Sequence, residues 1–194
     1  QNRWIVAPGA ISAKDEAIEP DLINAATFLA APLIRGGSVS TPWPTHTAQA
    51  ADAILAVLTA LGADVVVRDG LVTVSGSGRV RGAHLDLTLT SELTCVAAGL
   101  LALADGPGSI RGVGHVRGHE TDRLAALEAE LKALGGLVEQ TSDGLAITPA
   151  PLHGGTFHTY SDHRMAHAGA LIGLAVAGVE LDDVSCTTKT LPDF

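Results

Sequence analysis

Three stretches of this 194-residue chain are apolar on every side of a helix, and they recur within one repeated pattern. They begin at Asp21, Glu92 and Asp162, and each leads through a glycine-containing break to a short run typical of a β-strand. A helix without a polar face must be surrounded by protein, because none of its sides can face water without cost. The repeat therefore predicts three central helices that share one core.

A second kind of helix alternates with the first and carries charge on one face. The runs 53–62 and 124–135 both end in Ala-Leu-Gly, and each precedes two strand-like runs joined by Asp-Gly, at 69–70 and at 143–144. Asp-Gly is a frequent hairpin turn. We therefore predict an α/β (α+β) fold in which a βαβαββ unit is repeated threefold, with buried central helices surrounded by sheet. The third copy lacks its second helix and its hairpin.

The same pattern predicts several element boundaries. Strands are expected at 38–40, 65–67, 71–74, 109–111, 137–139, 145–147 and 179–181. Pro32 is expected to kink or end the first central helix, because proline lacks the N–H group that a helix interior needs. The third central helix is expected to continue to Gly178.

Polar residues are concentrated where helices begin. The segment 117–123 reads RGHETDR and opens an outer helix, for which Thr121 is the expected N-cap. We expect the acids that open the three central helices to cap them, so that three helix N-termini lie at one end of the domain and attract an anion. The alternative, that these acids are caps and the segment a well-capped surface helix, stays open.

Two kinds of charged residue would meet at that end of the domain. Arg123, Arg164 and Lys189 provide cations, while Glu92 and Glu120 provide carboxylates. Two guanidinium groups and an ammonium suit a ligand that carries both a carboxylate and a phosphate. Paired glutamates suit proton transfer.

Composition excludes several other classes of function. The net charge of −9 argues against a nucleic-acid partner and against an anionic membrane surface. Both cysteines, Cys95 and Cys186, lie in or beside apolar runs, which favours buried thiols and a reducing, cytoplasmic location. His163 and His167 have a spacing that could hold zinc, but no third ligand is evident, so we predict no metal.

Three motifs in order resemble the C-terminal half of the EPSP synthase family. They are HETDR at 119–123, DHRMA at 162–166 and TTKTLPDF at 187–194, and the resemblance extends from about residue 18 to residue 194. It implies an inside-out α/β barrel domain, one of two, with the active site between them. It also implies transfer of the enolpyruvyl group of phosphoenolpyruvate to the 5-hydroxyl of shikimate 3-phosphate, without a cofactor, on the route to chorismate and the aromatic amino acids.

The resemblance also implies which residues contact each substrate. Arg123, Arg164 and Lys189 match positions that bind phosphoenolpyruvate in the family. His115 and His119 match positions that contact shikimate 3-phosphate, although His119 stands where the family commonly has lysine.

Catalytic roles for two glutamates follow from the same resemblance. Glu92 matches an acidic position at the attacking hydroxyl of shikimate 3-phosphate, which implies a general base that also contacts this substrate. Glu120 matches a glutamate beside the methylene carbon, which implies a proton donor to that carbon and an acceptor in the later elimination.

The same resemblance implies a domain organisation. Residues 1–18 are expected to be an inter-domain crossing segment, and residues 19–194 the C-terminal domain, incomplete at its end. The missing N-terminal domain would be the partner of this chain, which we expect to be inactive alone.

Two other readings remain. One is a UDP-N-acetylglucosamine enolpyruvyl transferase, and the other is a non-catalytic anion-binding module of the same fold. The motifs at 162–166 and 187–194 disfavour the first, and the paired glutamates disfavour the second.

Overall fold

The repeated unit is visible in the order of helices and strands. The structure, a computed structural model, describes residues 3–194. Its helices are α1 (Leu22–Arg35), α2 (Ala51–Ala60), α3 (Thr94–Ala102), α4 (Arg123–Ala133) and α5 (His163–Gly173). Its strands are β1 (Gly37–Pro42), β2 (Asp64–Arg68), β3 (Leu71–Gly76), β4 (His84–Asp86), β5 (Gly108–Arg111), β6 (Leu137–Gln140), β7 (Leu145–Thr148), β8 (Gly155–Phe157) and β9 (Val179–Leu181). Residues 3–20 form no helix or strand, and most of them are exposed.

The strands pair in the way that a repeat requires. One sheet has the order β1-β3-β2, and a second has the order β4-β5-β7-β6. The hairpin strands occupy the same places in both, so β5-β7-β6 corresponds to β1-β3-β2. The pairs β4–β5 and β8–β9 are both parallel, with α3 and α5 respectively in their connections. The predicted unit is therefore confirmed, and residues 84–148 contain all six of its elements.

The three central helices pack against one another, as the apolar runs predicted. Helices α1, α3 and α5 contact each other in pairs, and every residue of α3 is buried. Gly99 allows α3 and α5 to approach closely, because a side-chain carbon at this position would stand 3.3 Å from the carbonyl oxygen of Ala168. The sheets lie outside these helices. The burial of Cys95, which raises the pKa of its thiol to about 12, agrees with the predicted apolar surroundings.

Two of the four predicted N-caps are wrong. Asp21 and Asp162 accept hydrogen bonds from backbone N–H groups in the first turns of α1 and α5, as predicted. Glu92, however, lies in a 3-10 turn before α3, and its carboxylate binds two arginines instead. Each arginine adds the attraction of a full positive charge to the hydrogen bond, whereas backbone N–H groups at a helix start carry only partial charge, which explains this choice. Helix α4 is capped by Asp122, which accepts from the N–H of Ala125, and not by Thr121.

One predicted helix end is also wrong, and at Pro32 the structure excludes an end of the helix, which was one of the two predicted outcomes. Helix α1 continues through Pro32 to Arg35. Proline costs the helix one hydrogen bond, but buried Leu29 and Leu33 on either side keep the helix packed. Helix α5 stops at Gly173, before the predicted end at Gly178. The chain must turn after Gly173 to bring β9 beside β8.

No helix within residues 3–194 combines the length and the apolar character needed to cross a lipid bilayer.

Candidate functional site

Arg123 is the centre of a cluster of charged side chains where α4 begins and the N-terminal ends of α3 and α5 meet. Its side chain is 1% exposed, which is rare for arginine. Nε and Nη2 donate to the two carboxylate oxygens of Asp162, at 2.8 and 3.2 Å. Asp162 is itself 0% exposed. The two side chains form a buried bidentate ion pair between α4 and α5.

The remaining donors of Arg123 also have partners. Nη1 donates to Glu92 Oε2 at 3.1 Å and to His119 Nδ1 at 2.9 Å, and Nη2 donates to Glu120 Oε2 at 2.9 Å. A guanidinium group has five N–H bonds and cannot accept, so in its contact with Arg123 the Nδ1 of His119 is the acceptor. The ion pairs and burial have opposite effects on Arg123: burial alone would lower its pKa, but the hydrogen bonds to Asp162 raise it above its ordinary value.

Arg164 shares an acceptor with Arg123. Its Nε donates to Glu92 Oε2 at 2.6 Å, the same oxygen that Arg123 uses. Burial alone would raise the pKa of Glu92, but the charges of Arg164 and Arg123 lower it, so Glu92 is ionised at neutral pH. Nη1 of Arg164 is buried and has no hydrogen-bond partner within residues 3–194. Because this nitrogen is buried, a ligand can reach it only after neighbouring side chains move.

Lys189 brings a third cation into contact with the cluster. Its Nζ contacts Glu120 Oε1, and this hydrogen bond is the largest cause that lowers the pKa of Glu120 to about 2. Lys189 lies in a 3-10 turn, Ser185–Lys189, that follows β9, and its side chain is 60% exposed. It can therefore move with less loss of burial than Arg123 or Arg164.

The cluster is balanced in charge. Three cations face three carboxylates, which gives no net charge when all six are ionised: Arg123, Arg164, Lys189, Glu92, Glu120 and Asp162. The sequence predicted a positive end with acidic caps, and the structure instead gives paired charges beside the helix N-termini. An anion can bind only where a cation gives up one of its present hydrogen-bond partners or uses a donor that has none.

The structure also locates the two predicted histidines. His119 contacts Arg123, whereas His115 is exposed, with its ring centroid 5.9 Å from that of His119. His115 therefore lies at the edge of the cluster.

Two residues have roles that sequence reasoning missed. Asp162 was predicted as a helix cap, but it also holds Arg123, and no spacing could show this because 39 positions separate the two. Arg117 was grouped with the candidate site, but it binds Asp122, Gln140 and the carbonyl of Thr141. It joins the start of α4 to the β6–β7 hairpin.

His163 and His167 are buried beside the cluster. His167 is 0% exposed, and its Nδ1 lies 3.4 Å from Thr27 Oγ1 on α1. Burial, and then the charge of Arg164, lowers the pKa of both rings, and that of His167 falls to about 4. Among residues 3–194, no group of three or more His, Cys, Asp or Glu side chains could hold a metal ion.

Acid is expected to destabilise the chain through His167. The folded ring binds a proton only below about pH 4, while the unfolded ring does so below its ordinary value of 6.5. Stability is therefore complete above pH 6.5 and is lost as the pH falls towards 4. From pH 7 to pH 5 we expect a loss of about 2 kcal/mol from this group.

Urea unfolding at pH 7 and pH 5 measures this loss. Because carboxylates can also make stability depend on pH in this range, the contribution of His167 is isolated by comparing two histidine variants. In His167→Gln the difference between pH 7 and pH 5 should shrink, whereas in His153→Gln, which changes an exposed ring, it should not. The same pH dependence in His167→Gln and in the unmodified chain would contradict the assignment.

Comparisons with known proteins agree with one family. The family model for EPSP synthase (3-phosphoshikimate 1-carboxyvinyltransferase) matches residues 1–194. A curated 3-phosphoshikimate 1-carboxyvinyltransferase from Kocuria rhizophila is 54% identical over 195 residues, which cover 100% of this chain and 44% of that protein. The chain thus spans less than half the length of this relative.

Solved structures show the same fold at much lower identity. One structure of EPSP synthase from Acinetobacter baumannii has a TM-score of 0.78 and 21% identity, covering 88% of this chain and 43% of that one. A second structure from the same organism has a TM-score of 0.75 and 20% identity, with the same coverage. These two similarities concern the fold alone.

Proposed function

The chain belongs to the EPSP synthase family, and from this membership we propose that it is the C-terminal part of an enzyme that makes 5-enolpyruvylshikimate 3-phosphate. The enzyme transfers the enolpyruvyl group of phosphoenolpyruvate to the 5-hydroxyl of shikimate 3-phosphate and releases phosphate, in the cytoplasm. The observation that carries the proposal is the cluster around Arg123, in which both predicted acids and all three predicted cations are in contact.

Phosphoenolpyruvate binds to the three cations of the cluster. Arg164 supplies Nη1, which has no partner within residues 3–194, and Lys189 leaves Glu120 to bind the anion. Arg123 can donate to the ligand only in place of a carboxylate or of His119, because all its N–H groups are in use. It therefore contributes chiefly a fixed positive charge beside the ligand. The rest of the site comes from the missing N-terminal domain.

Glu92 is the general base and Glu120 carries the second proton. Ionised Glu92 accepts the proton of the 5-hydroxyl as its oxygen attacks C2 of phosphoenolpyruvate. Glu120 protonates the methylene carbon and later removes a proton as phosphate leaves. In this structure Glu120 is ionised, since its pKa is about 2. Transfer of Lys189 to the bound anion removes the largest cause of that low pKa, and so makes it easier for Glu120 to take up the proton it must donate.

The two histidines contact shikimate 3-phosphate. Because Nδ1 of His119 accepts from Arg123, its Nε2 carries the proton and can donate to the substrate. Exposed His115 adds a polar contact at the rim.

Assay of phosphate release tests the proposed function. We expect no turnover by the 194-residue chain alone, because closure by a second domain is needed to position both substrates and exclude water. Addition of a separately purified EPSP synthase N-terminal domain is expected to restore phosphate release that requires both phosphoenolpyruvate and shikimate 3-phosphate.

The alternatives give different results in that assay. Turnover with UDP-N-acetylglucosamine instead of shikimate 3-phosphate would indicate the related transferase. Binding of phosphate or phosphoenolpyruvate without any turnover in the combined domains would indicate an anion-binding module. Phosphate release by the chain alone, in a preparation free of host enzyme, would contradict the proposal that this chain holds only half of the active site.

A further inference from the structure

The turn that precedes α5 has an unfavourable backbone conformation at two successive residues. Tyr160 and Ser161 have φ values of 55° and 56°, in the left-handed region that residues other than glycine rarely adopt. Such a conformation costs free energy and persists only where neighbouring groups hold it. The residue that follows is Asp162, the partner of Arg123. The groups that hold this turn can therefore affect the position of Asp162 in the candidate site.

Glu130 on α4 holds one side of the turn. It is 3% exposed, and its carboxylate accepts from the backbone N–H of His158 at 2.8 Å and from the hydroxyl of Tyr160 at 2.7 Å. No ion pair in the described part of the chain involves Glu130. A buried carboxylate without a cation needs such donors. The hydrogen bond to Glu130, and then burial, raises the pKa of Tyr160 to about 12.

Asp182 holds the other side of the turn. Its Oδ1 accepts from both the N–H and the hydroxyl of Thr159 at 2.9 Å, and its Oδ2 lies 3.0 Å from His158 Nδ1. This residue follows β9 directly. Elements on both sides, α4 and the end of β9, thus supply carboxylates to residues 158–160.

Helix α4 contacts this segment at two points on one face. Arg123 and Glu130 are seven residues apart, which is about two helical turns, so their side chains project on the same side. Glu130 binds the beginning of the segment, at residues 158 and 160, and Arg123 binds its end, at Asp162. The N–H of Asp162 closes the turn by donating to the carbonyl of Thr159 at 2.9 Å.

We propose that Glu130, Tyr160 and Asp182 are positioning residues for the candidate site. They hold the left-handed turn so that the carboxylate of Asp162 meets Arg123 in bidentate geometry. The relevance of this to phosphoenolpyruvate rests on the proposed function, whereas the positioning itself concerns only the chain and can be tested without substrate. Arg123 in turn orients Glu92 and Glu120.

Hydrogen exchange of the Arg123 Nε–H, followed by NMR in the 194-residue chain, tests the proposal. Tyr160→Phe removes one hydrogen bond to a carboxylate and is mild, because Tyr160 is 43% exposed. Exchange of this proton should accelerate on the order of tenfold, the factor expected for loss of one hydrogen bond to a charged group. The backbone amide of buried Leu127 should keep its exchange rate. A general loss of stability would instead accelerate exchange at both sites.

Two substitutions at Ser161 provide a matched pair. Ser161→Gly favours the left-handed conformation and should leave the exchange rate of the Arg123 Nε–H unchanged. Ser161→Val opposes it and should accelerate exchange at this proton, as Tyr160→Phe does. Glu130→Gln should also accelerate exchange at this proton. If that variant does not fold, the variants of Tyr160 and Ser161 are sufficient to test the proposal.

One result would overturn the proposal. If Tyr160→Phe and Ser161→Val both leave the Arg123 Nε–H at its original rate, the turn does not position Asp162. The proposed function is tested separately. If exchange of the Arg123 Nε–H accelerates in the variants, but the unmodified chain shows no turnover together with the N-terminal domain, the positioning role is supported and the proposed function is rejected.

Discussion

Replacement of Arg123 with Met is expected to lower the free energy of unfolding by about 3–5 kcal/mol. The substitution leaves Asp162, which is 0% exposed, as a buried carboxylate without its cation. The Arg123–Asp162 ion pair need not itself be strongly stabilising, because both charges lost water on burial. Most of the expected loss is the cost of one charge left alone. Urea unfolding followed by circular dichroism measures this change.

Two further variants separate this cause from others. Arg111→Met breaks an ion pair with Asp86 that has side-chain exposures of 72% and 48%, and should change stability by no more than about 1 kcal/mol. Asp162→Asn combined with Arg123→Met removes the isolated charge and should recover part of the loss. A decrease below 1 kcal/mol for Arg123→Met alone would mean that Asp162 is not held by this contact.

Replacement of Glu92 or Glu120 with Gln is expected to reduce turnover by about 10²-fold or more, in the presence of the N-terminal domain. Glutamine keeps the shape of glutamate and most of its hydrogen-bonding reach, but cannot exchange a proton at neutral pH. The Michaelis constants should change much less than turnover, which indicates loss of a step rather than loss of binding. Initial rates of phosphate release at varied concentrations of both substrates measure the two effects separately.

Glu139→Gln provides the control for these variants. It makes the same chemical change on an exposed position of β6, outside the cluster, and should leave turnover unchanged. Turnover at the original rate in Glu92→Gln or Glu120→Gln would remove that residue from the mechanism. Equal losses in turnover and in substrate affinity would show instead that the glutamate holds its arginine partners in place.

The candidate site illustrates where prediction from the sequence succeeds and where it stops. The two glutamates and three cations were selected from local motifs, and the structure brings all five into one cluster. Their roles toward substrates stay predictions. The sequence did not show that all five N–H groups of Arg123 have partners or that Lys189 pairs with Glu120. The fold gathers several carboxylates around these cations, and most of these are distant in sequence.

The sequence alone determined the repeat, the central helices and most strand positions. These depend on local properties: a helix apolar on all sides must be buried, and Asp-Gly favours a tight turn. The tertiary structure alone decided that Glu92 binds arginines rather than capping α3, that α5 ends at Gly173, and that Tyr160 and Ser161 adopt a left-handed turn. Each of these outcomes is a competition between a local preference and contacts from other units of the repeat. For Glu92, and for Tyr160 and Ser161, contacts with charged groups outweigh the local preference. Helix α5 ends at Gly173 because the chain must turn to bring β9 beside β8.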